Sequence, residues 1–196
     1  MAIILGGTRA DVRGALVWVG VVFVSILVHE LGHALMARQY GFRPAIMLYS
    51  MGGLTSWQMT HPISEWKRIL VSAAGPMAGF VLGTAVILAK GSMPADSPYF
   101  ASMAVRDLIW VNIGWGVLNL LPILPLDGGH IMNSIAVLAR GKRDSRIPLY
   151  VSIVISGLLF ALSLYHRQIW MGILTGWMAY TNFRSLQTLS RIRSSR

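Results

Sequence analysis

The chain carries its clearest chemical signal in the segment Val28-His29-Glu30-Leu31-Gly32-His33-Ala34-Leu35-Met36-Ala37-Arg38. His29 and His33 are four residues apart, a spacing that places both imidazoles on one face of a helix. Two stacked imidazoles suit a tetrahedral zinc ion, and Glu30 between them can act as a base toward water. Because residues 15–28 carry no charge, these polar groups need a partner or a wet cavity. The alternative is a pair of buried histidines that hydrogen-bond to neighbouring helices.

The composition is typical of an integral membrane protein. Of the 196 residues, 55% are hydrophobic and 12% are charged, whereas soluble domains carry roughly 25% charged residues. Cysteine is absent, which excludes disulfides and thiolate metal sites. The net charge of +10 is explained by Lys and Arg that flank membrane spans on the cytoplasmic side. We therefore expect the lipid bilayer, and no nucleic acid, as a partner.

The apolar segments predict an all-α polytopic membrane protein with about five transmembrane helices, since about 20 apolar residues cross a bilayer. The predicted spans are residues 13–37, 67–89, 100–121, 148–165 and 169–188. A short amphipathic helix is expected over 131–139. The second span contains the small-residue series Gly75, Gly79 and Gly83, which we expect to pack against the first span.

Residues 38–66 do not form a span. Residues 45–51 have the composition of a strand and end at the turn signal Gly52-Gly53, which predicts a short β-hairpin or re-entrant loop beside the site. An exposed strand edge could pair with an extended substrate. The candidate substrate-binding residues are Ile46, Met47, Leu48, Tyr49, Ser50, Met51, Gly52 and Gly53. An ordinary interfacial loop is the alternative, and His61 is interpreted as a loop histidine or as an extra ligand or gate.

The third span ends in Asn119-Leu120-Leu121-Pro122-Ile123-Leu124-Pro125-Leu126-Asp127-Gly128-Gly129-His130. Two prolines and two glycines cannot continue a regular helix, so we expect one unwound segment at membrane depth, with Asp127 on it. Asp127 is the candidate third metal ligand. Together with His29 and His33 it would leave one position open at a single zinc ion, which is the pattern of catalytic zinc sites.

The distribution of Lys and Arg predicts the orientation. With the five predicted spans, five of the 17 Lys and Arg residues fall on the same side of the membrane as the N-terminus, and twelve fall on the other side. The excess marks the second side as cytoplasmic. We therefore expect a cell-membrane protein whose N-terminus lies outside and whose C-terminus lies in the cytoplasm. The candidate metal site is expected toward the cytoplasmic side.

The sequence resembles the site-2 protease family of intramembrane zinc metalloproteases over residues 13 to about 139. The resemblance is carried by Val28-His29-Glu30-Leu31-Gly32-His33-Ala34, Gly52-Gly53, Ala73-Ala74-Gly75-Pro76, Asn119-Leu120-Leu121-Pro122 and Pro125-Leu126-Asp127-Gly128-Gly129. It implies that His29, His33 and Asp127 bind zinc, that Glu30 is the catalytic base, and that Asn119 helps to hold the substrate carbonyl or the oxyanion. It also implies a re-entrant β-hairpin at about residues 45–57.

The resemblance implies hydrolysis of peptide bonds within or near the transmembrane helix of a single-pass membrane protein, as in regulated intramembrane proteolysis. We expect one transmembrane metalloprotease domain over residues 1–196, with its core at about 13–139, additional helices at about 148–188, and no PDZ or CBS domain. A regulatory partner is compatible with this function, but the sequence does not identify one. The chain departs from the family pattern at Gly79, where relatives often have Asn.

The sequence does not exclude three other functions. One is a zinc hydrolase of another membrane-embedded substrate, and the second is a catalytically silent subunit that binds membrane helices. The third is a transporter or channel, since broken helices and intramembrane charges also mark ion paths. Zinc content measured together with cleavage of a membrane-segment substrate would separate these functions.

Overall fold

The structure, a computed structural model, describes residues 12–49, 52–57, 62–94, 96–141 and 146–194. Two compact units can be distinguished. The first comprises Met1–Ile63 and Ala73–Asn119, and the second comprises Ser64–Ser72 and Leu120–Arg196. Most of the described residues are helical, as the apolar composition predicts.

Helix α1 spans Val12–Gln39 and carries the histidine motif toward its C-terminal end. Its 28 residues rise about 42 Å, which exceeds the roughly 30 Å of a bilayer's hydrocarbon core. The helix ends where Gly41 adopts a φ of 84°, a left-handed conformation that glycine takes without strain. The N–H of Phe42 then donates to the carbonyl of Ala37 at 3.2 Å, which satisfies one of the terminal carbonyls.

Two short strands follow α1. Strand β1 spans Pro44–Tyr49 and strand β2 spans Gly52–Trp57. They pair antiparallel, with Leu48 opposite Gly53, and both lie against α1. Whether this pair re-enters the bilayer remains a prediction.

Helix α2 spans Glu65–Lys90. It is followed by a continuous helical run over residues 99–119, which consists of α3, a π-helical segment and α4. Their bounds are Tyr99–Ile109, Trp110–Trp115 and Gly116–Asn119. A π turn contains an extra residue relative to an α turn and often occurs at functional sites, so this run is not the regular span that the sequence predicts.

The small-residue series on α2 packs against two partners. A Cβ built on Gly75 would overlap the ring of His33 on α1, as expected. A Cβ on Gly79 would lie 3.4 Å from the carbonyl oxygen of Asn112, and one on Gly83 would lie 2.8 Å from the next side chain of the π-helical segment. Packing on the first span is therefore confirmed for Gly75 and wrong for Gly79 and Gly83, because the π-helical segment contacts that part of α2.

The chain leaves helical geometry after Asn119, but over a shorter stretch than the sequence predicts. Helix α5 spans Asp127–Arg140, so the expectations that Asp127 lies on the unwound segment and that the helix begins at residue 131 are wrong. Gly128 and Gly129 permit close packing at the start of α5, rather than prolonging the unwound segment. A Cβ on Gly128 would overlap the backbone carbonyl of Leu120.

Two long helices complete the second unit. Helix α6 spans Arg146–Tyr165 and helix α7 spans Ile169–Ser194, and they pack along each other. Both hold the unwound segment through Leu124. Its N–H donates to Ser152 Oγ on α6 at 2.9 Å, and its carbonyl accepts from Asn182 Nδ2 on α7 at 2.7 Å. Backbone groups outside a helix need such partners in a membrane protein.

The chain is a multi-pass membrane protein. Within the described residues, three helices are long and apolar enough to cross a bilayer, namely α1, α2 and α6. They expose large apolar side chains such as Phe23 on α1, Val81 on α2 and Leu158 on α6, which is the surface that lipid covers. The other two predicted spans correspond to the run over 99–119 and to α7, and their passage through the bilayer remains a prediction.

Candidate metal centre

The two histidines of α1 face each other across one helical turn. Their Nε2 atoms are 3.1 Å apart. The rings meet edge to face, with centroids 4.8 Å apart and planes inclined by 83°. His33 is buried and His29 is half-buried, so the point where their Nε2 atoms meet is shielded in part by the protein.

Glycines allow α2 to approach this face of α1 closely. A Cβ on Gly32 would overlap the backbone carbonyl of Ala74, and a Cβ on Gly75 would overlap the imidazole of His33. The segment Ala74-Gly75 therefore forms one wall against the histidine pair. This contact gives a physical reason for small residues at both positions.

Asn119 reaches the same histidine pair from the end of α4. Its Nδ2 lies 3.1 Å from Nε2 of His29, so the amide is in hydrogen-bond contact with the nitrogen that faces His33. The helical run over 99–119 ends at this residue, which fixes the amide by the last turn of a helix.

His29, His33 and Asp127 form a group that could hold a metal ion. Each offers one ligand atom, and these atoms all lie within 4.8 Å of one another. Two imidazole nitrogens and one carboxylate oxygen make up a three-residue donor set of the kind found at catalytic zinc sites. The residues present therefore fit zinc, and the chain has no cysteine that could compete as a ligand.

Glu30 follows His29 directly and is buried, with 7% of its surface exposed. A carboxylate inside an apolar helix is costly unless polar groups or water stabilise it. Its sequence position between the two histidines agrees with a role in chemistry. The catalytic roles of Glu30 and Asn119 remain proposals.

The predicted substrate strand corresponds in part to described residues. Ile46, Met47, Leu48 and Tyr49 lie in β1, and Gly52 and Gly53 begin β2. Ser50, Met51 and His61 lie outside the described residues. Substrate binding by these strands stays a prediction.

A buried polar pair lies one helical turn before the histidines and was not predicted from the sequence. Asn112 Nδ2, in the π-helical segment, donates to Ser25 Oγ on α1 at 2.9 Å. The available signal was a serine four residues before His29 and an asparagine inside an apolar span. Ser152 and Asn182, which hydrogen-bond to the backbone of Leu124, were not predicted either. Small polar residues are common in membrane helices, so their presence alone does not indicate a role.

The sequence matches Peptidase family M50 over residues 17–98 and 97–163. It is 32% identical over 126 residues to a putative zinc metalloprotease of Synechocystis sp., which covers 64% of this chain and 32% of that protein. It is 30% identical over 114 residues to a zinc metalloprotease of Methanocaldococcus jannaschii, which covers 58% of this chain and 32% of the relative. The chain thus spans about a third of the length of these curated relatives.

A solved structure shares the fold. The site-2 protease from Methanocaldococcus jannaschii superposes with a TM-score of 0.64 and covers 94% of this chain and 83% of that chain. The two sequences are 21% identical in this comparison. At that identity the likeness establishes the fold, and the chemistry has to be argued from the residues.

Proposed function

The chain belongs to peptidase family M50, the site-2 protease family, and we propose that it is an intramembrane zinc metalloprotease. It hydrolyses peptide bonds within or near the transmembrane helices of membrane-protein substrates. The observation that carries the proposal is the grouping of His29, His33 and Asp127, together with the buried Glu30 that directly follows His29 in the sequence. Residues 1–196 act in it as one metalloprotease domain.

The three ligands would hold one zinc ion, which when bound lowers the pKa of water toward neutrality and polarises a carbonyl. Glu30 takes a proton from the attacking water and later delivers it to the leaving amine. Its sequence position, next to one ligand and three residues before another, keeps the carboxylate within reach of the ligand group.

Asn119 stabilises the oxyanion that develops on the scissile carbonyl. Its Nδ2 already lies 3.1 Å from Nε2 of His29, so the donor is positioned at the ligand group before substrate arrives. Preorganised donors of this kind lower the barrier by about 3 kcal/mol in other hydrolases.

A transmembrane helix buries its own amides, so a substrate must be locally extended before it is cut. The pair of strands β1 and β2 supports such a binding mode. Within the described residues the sheet has two strands, so each strand retains one edge that could add a substrate strand. We propose that residues 46–53 receive a single-pass substrate in this way.

We propose that the protein lies in the cell membrane with its N-terminus outside and its C-terminus in the cytoplasm. The excess of Lys and Arg on the C-terminal side supports this orientation. The ligand group then lies toward the cytoplasmic side, because Arg38 and Arg43 follow the histidines closely.

The test is a zinc assay combined with cleavage of a reporter membrane segment by the purified protein in lipid. Glu30→Gln should retain zinc and lose cleavage, while Asp96→Asn, on an exposed carboxylate in a loop, should leave both unchanged. Cleavage by the Glu30→Gln protein would refute the role of Glu30. Zinc in the wild-type protein without cleavage of any membrane segment would favour a silent helix-binding subunit or a hydrolase of another membrane substrate.

A further inference from the structure

The side-chain amide of Asn112 makes two hydrogen bonds. Its Nδ2 donates to Ser25 Oγ on α1 and to the carbonyl of Leu108 on α3, both at 2.9 Å. Asn112 and Ser25 are both almost completely buried. One amide therefore supports the π-helical segment internally and also ties it to α1.

The two asparagines of this helical run contact α1 at unequal spacings. Asn112 and Asn119 are seven residues apart, which in a regular α-helix corresponds to about 10.5 Å along the axis. Their partners Ser25 and His29 are four residues apart, or about 6 Å. A π turn places more residues in each turn, so the run rises less per residue. The π-helical segment therefore helps both amides to reach partners only one turn apart.

Helix α2 also contacts the π-helical segment. A Cβ on Gly83 would come within 2.8 Å of Ile113, and a Cβ on Gly79 would lie 3.4 Å from the Asn112 carbonyl oxygen. Gly83 leaves room that a side chain would fill, whereas a Cβ at Gly79 would make an ordinary van der Waals contact. The π-helical segment thus packs against α2 and is hydrogen-bonded to α1.

We infer that Asn112 is a positioning residue. By anchoring the π-helical segment to Ser25, it sets the rotation and height at which the last turn of the run presents the Asn119 amide to His29. The catalytic consequence rests on the proposed function, in which Asn119 stabilises the oxyanion. The anchoring itself does not depend on that function.

The anchoring can be tested without any activity, because the chain contains no cysteine. The rings of Trp18 on α1 and Trp115 in the π-helical segment lie 6.3 Å apart, so cysteines at these two positions report the rotation of the run against α1. Asn112→Leu should lower the yield of cross-linking by a short bifunctional thiol reagent. Ser163→Ala is the control, because it removes a buried hydroxyl that hydrogen-bonds to its own helix. It should leave the cross-linking yield unchanged. An unchanged yield in Asn112→Leu would overturn the inference.

The catalytic consequence is tested by a double-mutant cycle on the zinc-loaded protein in lipid. Asn112→Leu should lower kcat by roughly 10- to 100-fold through misplacement of Asn119, with KM and zinc content unchanged. Ser25→Ala should act in the same direction with a smaller loss, because the bond to Leu108 remains. In the Asn119→Ala background, Asn112→Leu should cost no more than about twofold further.

Additive losses in this cycle would show that Asn112 acts by some route other than Asn119 and would reject the positioning role. If the wild-type protein cleaves no membrane segment, the proposed function fails, and cross-linking alone then decides whether Asn112 anchors the run. The two failures are therefore distinguishable.

Discussion

Gly75 on α2 lies directly against the imidazole of His33 on α1, so that a Cβ at position 75 would overlap the ring. The position of a candidate metal ligand therefore depends on the absence of a side chain on the neighbouring helix. A small-residue motif that would otherwise be assigned to helix packing alone also determines where a histidine nitrogen can point.

Gly75→Ala should displace His33 or push α2 away, because overpacking in a well-packed interior costs about 1–3 kcal/mol. We expect weaker zinc binding together with a lower midpoint of thermal unfolding. Both can be measured on protein in lipid nanodiscs, by metal titration and by a temperature scan. Gly20→Ala on α1 is the matched control, since a Cβ there meets nothing within 4 Å, and equal effects of the two variants would contradict this prediction.

Asp127→Ala should reduce zinc to well below one ion per chain, because one of the three proposed protein ligands is lost. The stoichiometry is measured by elemental analysis after gel filtration. His166→Ala removes an exposed histidine in the connection between α6 and α7 and should keep the metal. A full complement of zinc in the Asp127→Ala protein would show that the carboxylate is not a ligand.

The candidate ligand group His29, His33 and Asp127 could be predicted from the sequence because residue type and spacing encode its chemistry. His29 and His33 share a helix face by geometry alone, and an aspartate after a proline-rich break at membrane depth has few uses other than function. The start of α5 could not be predicted, because Gly128 normally disfavours a helix. Its contact with the Leu120 carbonyl is a tertiary effect that propensity does not contain.

The π-helical segment escaped prediction for a similar reason. Residues 110–115 read as an ordinary apolar stretch, and the extra residue in the turn is stabilised by partners on other helices. Asn112 is hydrogen-bonded to Ser25, which lies 87 positions earlier in the chain. The π-helical segment also depends on the absence of a side chain at Gly83. Such pairings arise only when the helices have packed, so a single sequence shows the two polar residues but does not show that they pair.

Asn182→Leu should loosen the unwound segment before Asp127. The carbonyl of Leu124 loses the amide that bonds it at 2.7 Å, and a buried group without its partner costs about 1–3 kcal/mol. We expect a lower unfolding midpoint and a reduced affinity for zinc. Thr175→Val is the control, because Thr175 is equally buried on α7 but bonds carbonyls of its own helix. A loss of stability without any change in zinc affinity would mean that Leu124 does not influence Asp127.

The proposed orientation can be tested with single cysteines, since the chain has none of its own. Asp96→Cys lies in the loop between α2 and α3, and Arg140→Cys lies at the end of α5, where both side chains are exposed. A membrane-impermeant thiol reagent should label position 96 in intact cells and position 140 only after permeabilisation. The physical reason is the excess of Lys and Arg, which keeps the segment around residue 140 in the cytoplasm. The reverse pattern of labelling would place the ligand group toward the outer face and would require substrates to be cut near their external ends.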